Sequence, residues 1–242
     1  MINIGVWGHI INLKSIIIDN KHTKHFNFFF IPYFRILFAT SLCSNTMEDN
    51  MEPDLDEDME DEQTEKELKI LEERLYVDVE DYDAHVSKIK LLKSIGELDD
   101  LRLARKQFAE VYPLTPELWM EWIKDEMNLA ESEREKQCIQ ELFDTAVKDY
   151  LSVDLWLEYC QFSIGGISNP GGIEKARCIF ERAIASAGIH SSRGSLLWEA
   201  YREFENILVL MQQNDEDKKS QKERVNKLFK RQLSVPLLGK SN

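Results

Sequence analysis

Glycine and proline are scarce in this chain, 10 and 6 of 242 residues. Average proteins carry about 7% glycine and about 5% proline. Turn formers are therefore too few for a fold of many short strands, and long helices are favoured. Cysteine is rarer still. The four cysteines, at 43, 138, 160 and 178, form no C-x-x-C pair and no disulfide-like spacing, which fits a reducing compartment. Cys160 and Cys178 lie in apolar helical patterns and are expected to be small buried thiols. Long apolar runs are also missing. The strongest, FFFIPYFRILF at 28–38, is too short to span a bilayer and is broken by Pro32 and Arg35, so no membrane is expected.

A broad basic excess is absent too. The net charge is −14, and it is concentrated: residues 47–80 hold 16 acidic and 3 basic side chains, whereas residues 1–46 carry +3 and residues 81–242 carry −4. The body of the protein is nearly balanced, which disfavours direct binding to a nucleic-acid backbone. The acidic run reads as a solvated tail before it reads as a docking segment for a basic partner. Residues 1–46, rich in Ile, Phe and Asn, show no helical or strand period. No basic residue precedes Lys14 and no small-residue cleavage site follows, as a signal peptide would require. Translation is expected to begin at Met47, with 1–46 an atypical leader, disordered or not native. His22, His25 and Cys43 lack a properly spaced fourth metal ligand.

What the sequence does have is a repeat. LWMEWIKDEM (118–127), LWLEYCQFSI (155–164) and LWEAYREFEN (197–206) align without gaps, and YDAHVSKIKL (82–91) is a fainter copy. Trp119, Trp156 and Trp198 hold one phase, with Tyr82 in their place in the first copy; Trp122, Tyr159 and Tyr201 follow three residues later. After each block comes a second segment in which Phe108, Phe143, Phe180 and Phe229 share a phase. Apolar residues at i, i+3 and i+4 make both segments amphipathic helices, and Thr115-Pro116 reads as an N-cap with proline in the first turn. Each helix pair has too little core alone and must bury its rings against its neighbours. These eleven aromatics are expected to be structural repeat anchors and not a cofactor box. The predicted fold is all-α, a right-handed α-solenoid of antiparallel helix pairs. Expected boundaries are an acidic disordered segment at 47–63, a capping helix at 64–80 centred on Thr64–Tyr76, about four repeats over 81–237, and a tail at 238–242. The polar stretch after Met211 is expected to be a solvent loop that lengthens the last repeat.

The pattern Leu-Trp-x-x-Tyr/Trp, followed by a helix with Arg-x-Ile-Phe-Glu-Arg-Ala (177–183), resembles the half-a-TPR (HAT) repeat. Five blocks, YPLTPELWMEWIKDE (112–126), LFDTAVKDY (142–150), WLEYCQFSIGGI (156–167), GGIEKARCIFERA (171–183) and LWEAYREFE (197–205), fall in one order. They are similar to the N-terminal HAT region of the family of the squamous cell carcinoma antigen recognised by T cells, the U4/U6 small nuclear ribonucleoprotein recycling factors. The resemblance covers residues 66–237. It implies a nuclear, non-catalytic protein-interaction scaffold in pre-mRNA splicing, assisting U4/U6 assembly or recycling. Its implied partners are spliceosomal small nuclear ribonucleoprotein proteins and deubiquitinating enzymes. A HAT or TPR adaptor in cleavage-polyadenylation or ribosomal RNA maturation remains the alternative.

Two departures limit the resemblance. That family continues past Arg231–Leu237 into further HAT repeats and two RNA-recognition motifs, whereas this sequence closes on LGKSN, which reads as a truncated or alternative product or an incomplete gene model. No aromatic-basic RNA-recognition motif stands in the chain, so the family's RNA binding is not carried over, and its homodimer contact belongs to later repeats. The last repeat is therefore expected to leave an apolar face exposed.

Enzymatic readings are weaker. The Gly165-Gly166 and Gly171-Gly172 pairs flanking Pro170 could form a phosphate loop, but they read better as an inter-helix turn. Gly239-Lys240-Ser241 lacks the earlier glycine of a Walker loop, since position 234 is serine. His85 and His190 have no catalytic partner in sequence, and Glu121, Glu158 and Glu199 recur with the repeat. The basic cluster Lys218, Lys219, Lys222, Arg224, Lys227, Lys230 and Arg231 is a solvated helix face or an import signal. No catalytic residue, cofactor, metal or small-molecule substrate is assigned.

Overall fold

A computed structural model describes residues 55–236, with side chains from residue 62 onward. The leader, the possible start at Met47, the His22/His25/Cys43 group and the tail from Leu237 lie outside the described residues. Within them the chain forms nine helices and no strand: α1 Leu55–Val77, α2 Tyr82–Ile95, α3 Leu98–Val111, α4 Pro116–Leu129, α5 Glu133–Asp149, α6 Val153–Ile164, α7 Gly172–Ala187, α8 Gly194–Met211 and α9 Asp215–Leu233. They divide into two compact units at Tyr112.

The first unit holds α1–α3. Helix α1 starts at Leu55, before the expected Thr64, so residues 55–63 are helical where disorder was expected. An i,i+4 pair between Glu62 and Lys66 at 2.8 Å shows how a charged run can sustain a helix without a core. Further along α1, Leu71 is buried and Leu68 packs on Leu92, Leu101 and Ala104. Asp81 caps α2 by accepting from the Ala84 amide at 3.0 Å, and Gly96 closes it at φ +81°. His85 is buried and stacks on Phe108 with centroids 5.0 Å apart, its Nε2 lying 2.9 Å from the Val79 carbonyl. Tyr82, expected as an anchor, is instead 45% exposed and meets Phe108 only edge-on at 5.2 Å. It is the first residue of α2, and His85 one turn later takes the stacked place on Phe108.

The second unit holds three helix pairs, α4/α5, α6/α7 and α8/α9, whose short loops make neighbours antiparallel. Local sequence sets the ends. Thr115 precedes Pro116 at the start of α4, and Ser132 and Glu135 form a reciprocal capping box on α5. Ser152 accepts from the Leu155 amide at 3.2 Å to start α6. Asn214 caps α9 by accepting from the Glu216 amide at 3.2 Å, and Asp215, Glu216 and Asp217 follow in the first turn. The stretch expected as a loop up to residue 221 is therefore mostly helix, with only 212–214 between α8 and α9. Cys160 is buried, but Cys178 faces solvent, because its helix buries Ile179 and Phe180 instead.

The glycine-rich stretch is a turn between α6 and α7. Gly165 caps α6, and Gly171 adopts φ +73°. Gly172 is buried where a Cβ would sit 2.1 Å from the Gly166 carbonyl oxygen. Gly172→Ala should therefore destabilise the chain by roughly 1–3 kcal/mol through overpacking against backbone. Equilibrium denaturation followed by circular dichroism measures this, with Gly166→Ala as the milder control.

Candidate partner-docking surface

The anchors of the second unit do more than fill a core. Phe143 on α5 stacks on Tyr159 of α6 with centroids 4.8 Å apart and planes 1° from parallel. The Tyr159 hydroxyl donates to Asp144 at 2.9 Å, and Arg182 of α7 donates Nη1 to the same oxygen at 2.7 Å. The Arg182 guanidinium lies 5.5 Å from the Trp156 ring centroid and 5.8 Å from that of Tyr159. The next junction repeats this arrangement. Phe180 stacks on Tyr201 at 4.8 Å, the Tyr201 hydroxyl donates to Glu181 at 3.2 Å, and Arg231 of α9 grips Glu181 with both Nη atoms at 2.8 Å. Arg231 lies 5.6 Å from the Trp198 centroid.

Each junction is thus a module of phenylalanine, acid, tryptophan, tyrosine and arginine. Guanidinium on an aromatic face gains cation–π attraction, while the carboxylate fixes its orientation. Burial, helped by the adjoining carboxylates, pushes the phenols of Tyr159 and Tyr201 above their ordinary range, so both stay protonated donors. The hydrogen bond from Arg231 holds Glu181 below the usual glutamate value despite partial burial. The sequence reading placed Glu181 and Arg182 only in the repeat motif and Arg231 only in a basic cluster, and gave none of these acids and arginines a place at the junctions. Their signal is short: Phe-acid at 143–144 and 180–181, and Phe-x-Arg at 180–182 and 229–231. Arg182 and Arg231 remain about half exposed, so part of each guanidinium fork faces solvent, ready for a partner's carboxylate or carbonyl.

The tryptophans differ in their polar tethers. Trp119 donates to Asp149 at 2.7 Å, and the same carboxylate receives the Leu114 amide at 2.9 Å, tying the start of α4 to the end of α5. Trp122 donates to Glu126 at 3.3 Å and Trp198 to the Gly188 carbonyl at 3.0 Å. Trp156 Nε1 is buried without a partner. Phe229, expected as the last anchor, is 44% exposed, while its neighbour Leu228 is buried. No described helix follows α9 to cover that ring.

A cavity of about 360 Å³ lies beside the glycine turn, lined in part by Gly171, Gly172, Glu174, Arg177 and Gln221. Its one cation is already engaged. Arg177 donates Nε and Nη2 to Glu205 at 2.9 and 3.0 Å, Nη1 to Glu174 at 2.5 Å and Nη2 to Gln221 at 3.1 Å. Gln221 also donates to the Glu205 carboxylate. Burial opposes the Arg177 charge, but the two carboxylates outweigh it and raise its pKa. With its guanidinium already met by Glu174 and Glu205, Arg177 gives the cavity no uncommitted cation for a phosphate. Among the described residues no group of three or more His, Cys, Asp or Glu is placed to hold a metal, and no helix is long and apolar enough to cross a membrane.

Alongside this geometry of paired helices joined by ring stacks, the sequence matches a family profile described as the PRP39 N-terminal HAT repeat over residues 69–242. The chain belongs to this HAT-repeat family. Over 171 residues it is 47% identical to the spliceosome associated factor 3, U4/U6 recycling protein of Pongo abelii, and 46% identical to the Homo sapiens protein of the same name. Each match takes in 71% of this chain but only 17% of the relative, so the HAT chain spans a small part of the relatives it matches. A more distant match, 26% identical over 175 residues, is the mRNA 3'-end-processing protein RNA14 of Yarrowia lipolytica, covering 69% of this chain and 21% of that protein. The solenoid of helix pairs is accordingly the architecture of the family, and the sequence expectation of an all-α HAT fold is met.

Proposed function

We propose that this HAT chain is a non-catalytic protein-interaction scaffold in pre-mRNA splicing, assisting assembly or recycling of the U4/U6 small nuclear ribonucleoprotein in the nucleus. The observation that carries this reading is the 47% identity over 171 residues, 71% of this chain, to a protein named for U4/U6 recycling. The site chemistry supports it. The side chains held in fixed geometry are rings and paired charges suited to recognising protein surfaces, and in the cavity beside the glycine-rich turn the one lining cation, Arg177, is engaged by carboxylates. The partners the reading calls for are spliceosomal ribonucleoprotein proteins, with deubiquitinating enzymes as a second class.

The match to an mRNA 3'-end-processing protein favours one second reading, an adaptor in cleavage and polyadenylation. Affinity capture from nuclear extract on the immobilised chain separates the two. Recovery of U4/U6 proteins above a scrambled-surface control supports the splicing role. Recovery of cleavage factors alone, or of neither class while a full-length relative retains splicing proteins, overturns it.

A further inference from the structure

Hydroxyls placed three residues before an acid are few in the body of the chain. Over residues 62–236 they are Thr64, Ser94, Ser132 and Ser220, each followed at that spacing by a glutamate. Only Thr64 and Ser132 also have a glutamate directly after them. Thr64, Ser94 and Ser220 lie within α1, α2 and α9. Ser132 is the one of the four outside a helix, in the α4–α5 turn, exposed and with extended backbone at φ −96° and ψ 156°. The phrase there reads Ser132-Glu133-Arg134-Glu135.

Part of this pattern serves the fold. The Ser132 Oγ accepts from the Glu135 amide at 3.2 Å and donates to its carboxylate at 2.8 Å. That carboxylate also receives the Glu131 and Ser132 amides at 2.9 and 2.7 Å. Glu133 has no part in the box; it meets Lys136 at 2.6 Å and Asn169 at 3.5 Å, exposed contacts that water screens. All eight side chains from Glu131 to Cys138 are exposed, and Ile139 is the first buried residue of α5. Opening the first turn therefore uncovers no core, and segments so poor in buried contacts open at low free energy. In an extended chain side chains alternate, so Glu133 and Glu135 then fall on one side. On a helix the same two positions point to nearly opposite sides, which is the arrangement Thr64 offers inside α1.

We propose that Ser132 is a phosphorylation site for an acid-directed serine kinase, whose basic substrate cleft reads Glu133 and Glu135 together. Charge patterns of this kind are how kinases select substrates. The Ser132 Oγ attacks the γ-phosphorus of ATP, and an Oγ–P bond forms as the bond from that phosphorus to the β–γ bridging oxygen breaks. ADP departs, and the hydroxyl proton passes to a carboxylate of the kinase. The product has a dianion where Ser132 had a hydroxyl donor, so Glu135 loses its bond from Oγ and is repelled. The reciprocal box cannot re-form. The phosphate instead takes the free amides at the α5 start and Lys136 four residues on. One cap replaces another, and the α4–α5 turn gains about two negative charges.

The test incubates the full chain with casein kinase 2 and magnesium ATP and follows phosphate at Ser132 by mass spectrometry. A parallel reaction uses protein kinase A, which is directed by basic residues. The expected result is labelling of Ser132 by the first kinase and not by the second. Glu133→Gln and Glu135→Gln should each slow that labelling by about tenfold or more. Glu135→Gln separates recognition from capping, because glutamine also completes a capping box. An unchanged circular dichroism melt confirms that this variant keeps its fold. No phosphate at Ser132, equal labelling by the basic-directed kinase, or a rate that either substitution leaves unchanged overturns the proposal. So does labelling of Thr64 ahead of Ser132, since the acids would then act without regard to the fold.

Discussion

Replacing Trp156 by alanine should lower the free energy of unfolding by roughly 3–5 kcal/mol, the range of large-to-small changes in a packed core. The indole is only 4% exposed, lies 6.0 Å from the Tyr159 ring and carries the Arg182 guanidinium above it. Its N–H has no partner, so the loss is one of packing and cation–π contact without a broken hydrogen bond. Trp119→Ala differs in that respect, because it also strips a donor from Asp149. Urea denaturation followed by far-ultraviolet circular dichroism measures the loss. Because each repeat leans on its neighbours, the variant should also lose cooperativity, with the α8/α9 pair melting apart from the pairs before it. A change below about 1 kcal/mol would show that Trp156 is not a core anchor.

Glu205→Ala should cost about 3 kcal/mol, the usual penalty for stripping one member from a buried ion pair. Glu205 is fully buried and takes two donors from Arg177. Its loss leaves the guanidinium to Gln221 and to the exposed Glu174, which water screens. The double variant Arg177→Met/Glu205→Leu should recover most of the stability, since an apolar pair of similar volume replaces a buried ion pair at little cost or with a gain. If the double variant is as unstable as the single, then the groups act through shape and not charge. The same denaturation experiment decides this.

The rings were legible in the sequence because a solenoid repeats its demands. Trp119, Trp156 and Trp198 must each fill the same kind of space, so they recur in phase. The Gly-Gly pairs around Pro170 were legible as a turn because few other residues suit φ +73° at Gly171 or the close approach at Gly172. The α9 start was missed because Asp215, Glu216 and Asp217 look like loop residues until Asn214 is recognised as a cap. The exposure of Phe229 was missed for a different reason: the phase of a ring reports its place on a helix, not whether another helix arrives to cover it. Arg182 and Arg231 escaped because an arginine at 3–4 spacing reads as solvated surface, and only the fold brings it over an indole 26 or 33 positions earlier in the chain. The Arg177–Glu205–Gln221 network was illegible because its members come from three helices, α7, α8 and α9, and bridge the last two helix pairs.

The two-stage build of each junction has a kinetic consequence. The phenol-to-acid bonds join residues 15 and 20 positions apart, whereas the arginines reach the same acids from 38 and 50 positions downstream. Contacts this local favour rapid folding and growth from an already formed end. As the chain leaves the ribosome, a ring stack can settle as soon as the first helix of a repeat emerges. The arginine arrives a helix later and locks over the tryptophan only when the pair is whole. A contact formed that late should act as a ratchet tooth, with its removal speeding the unfolding of a finished repeat more than it slows folding.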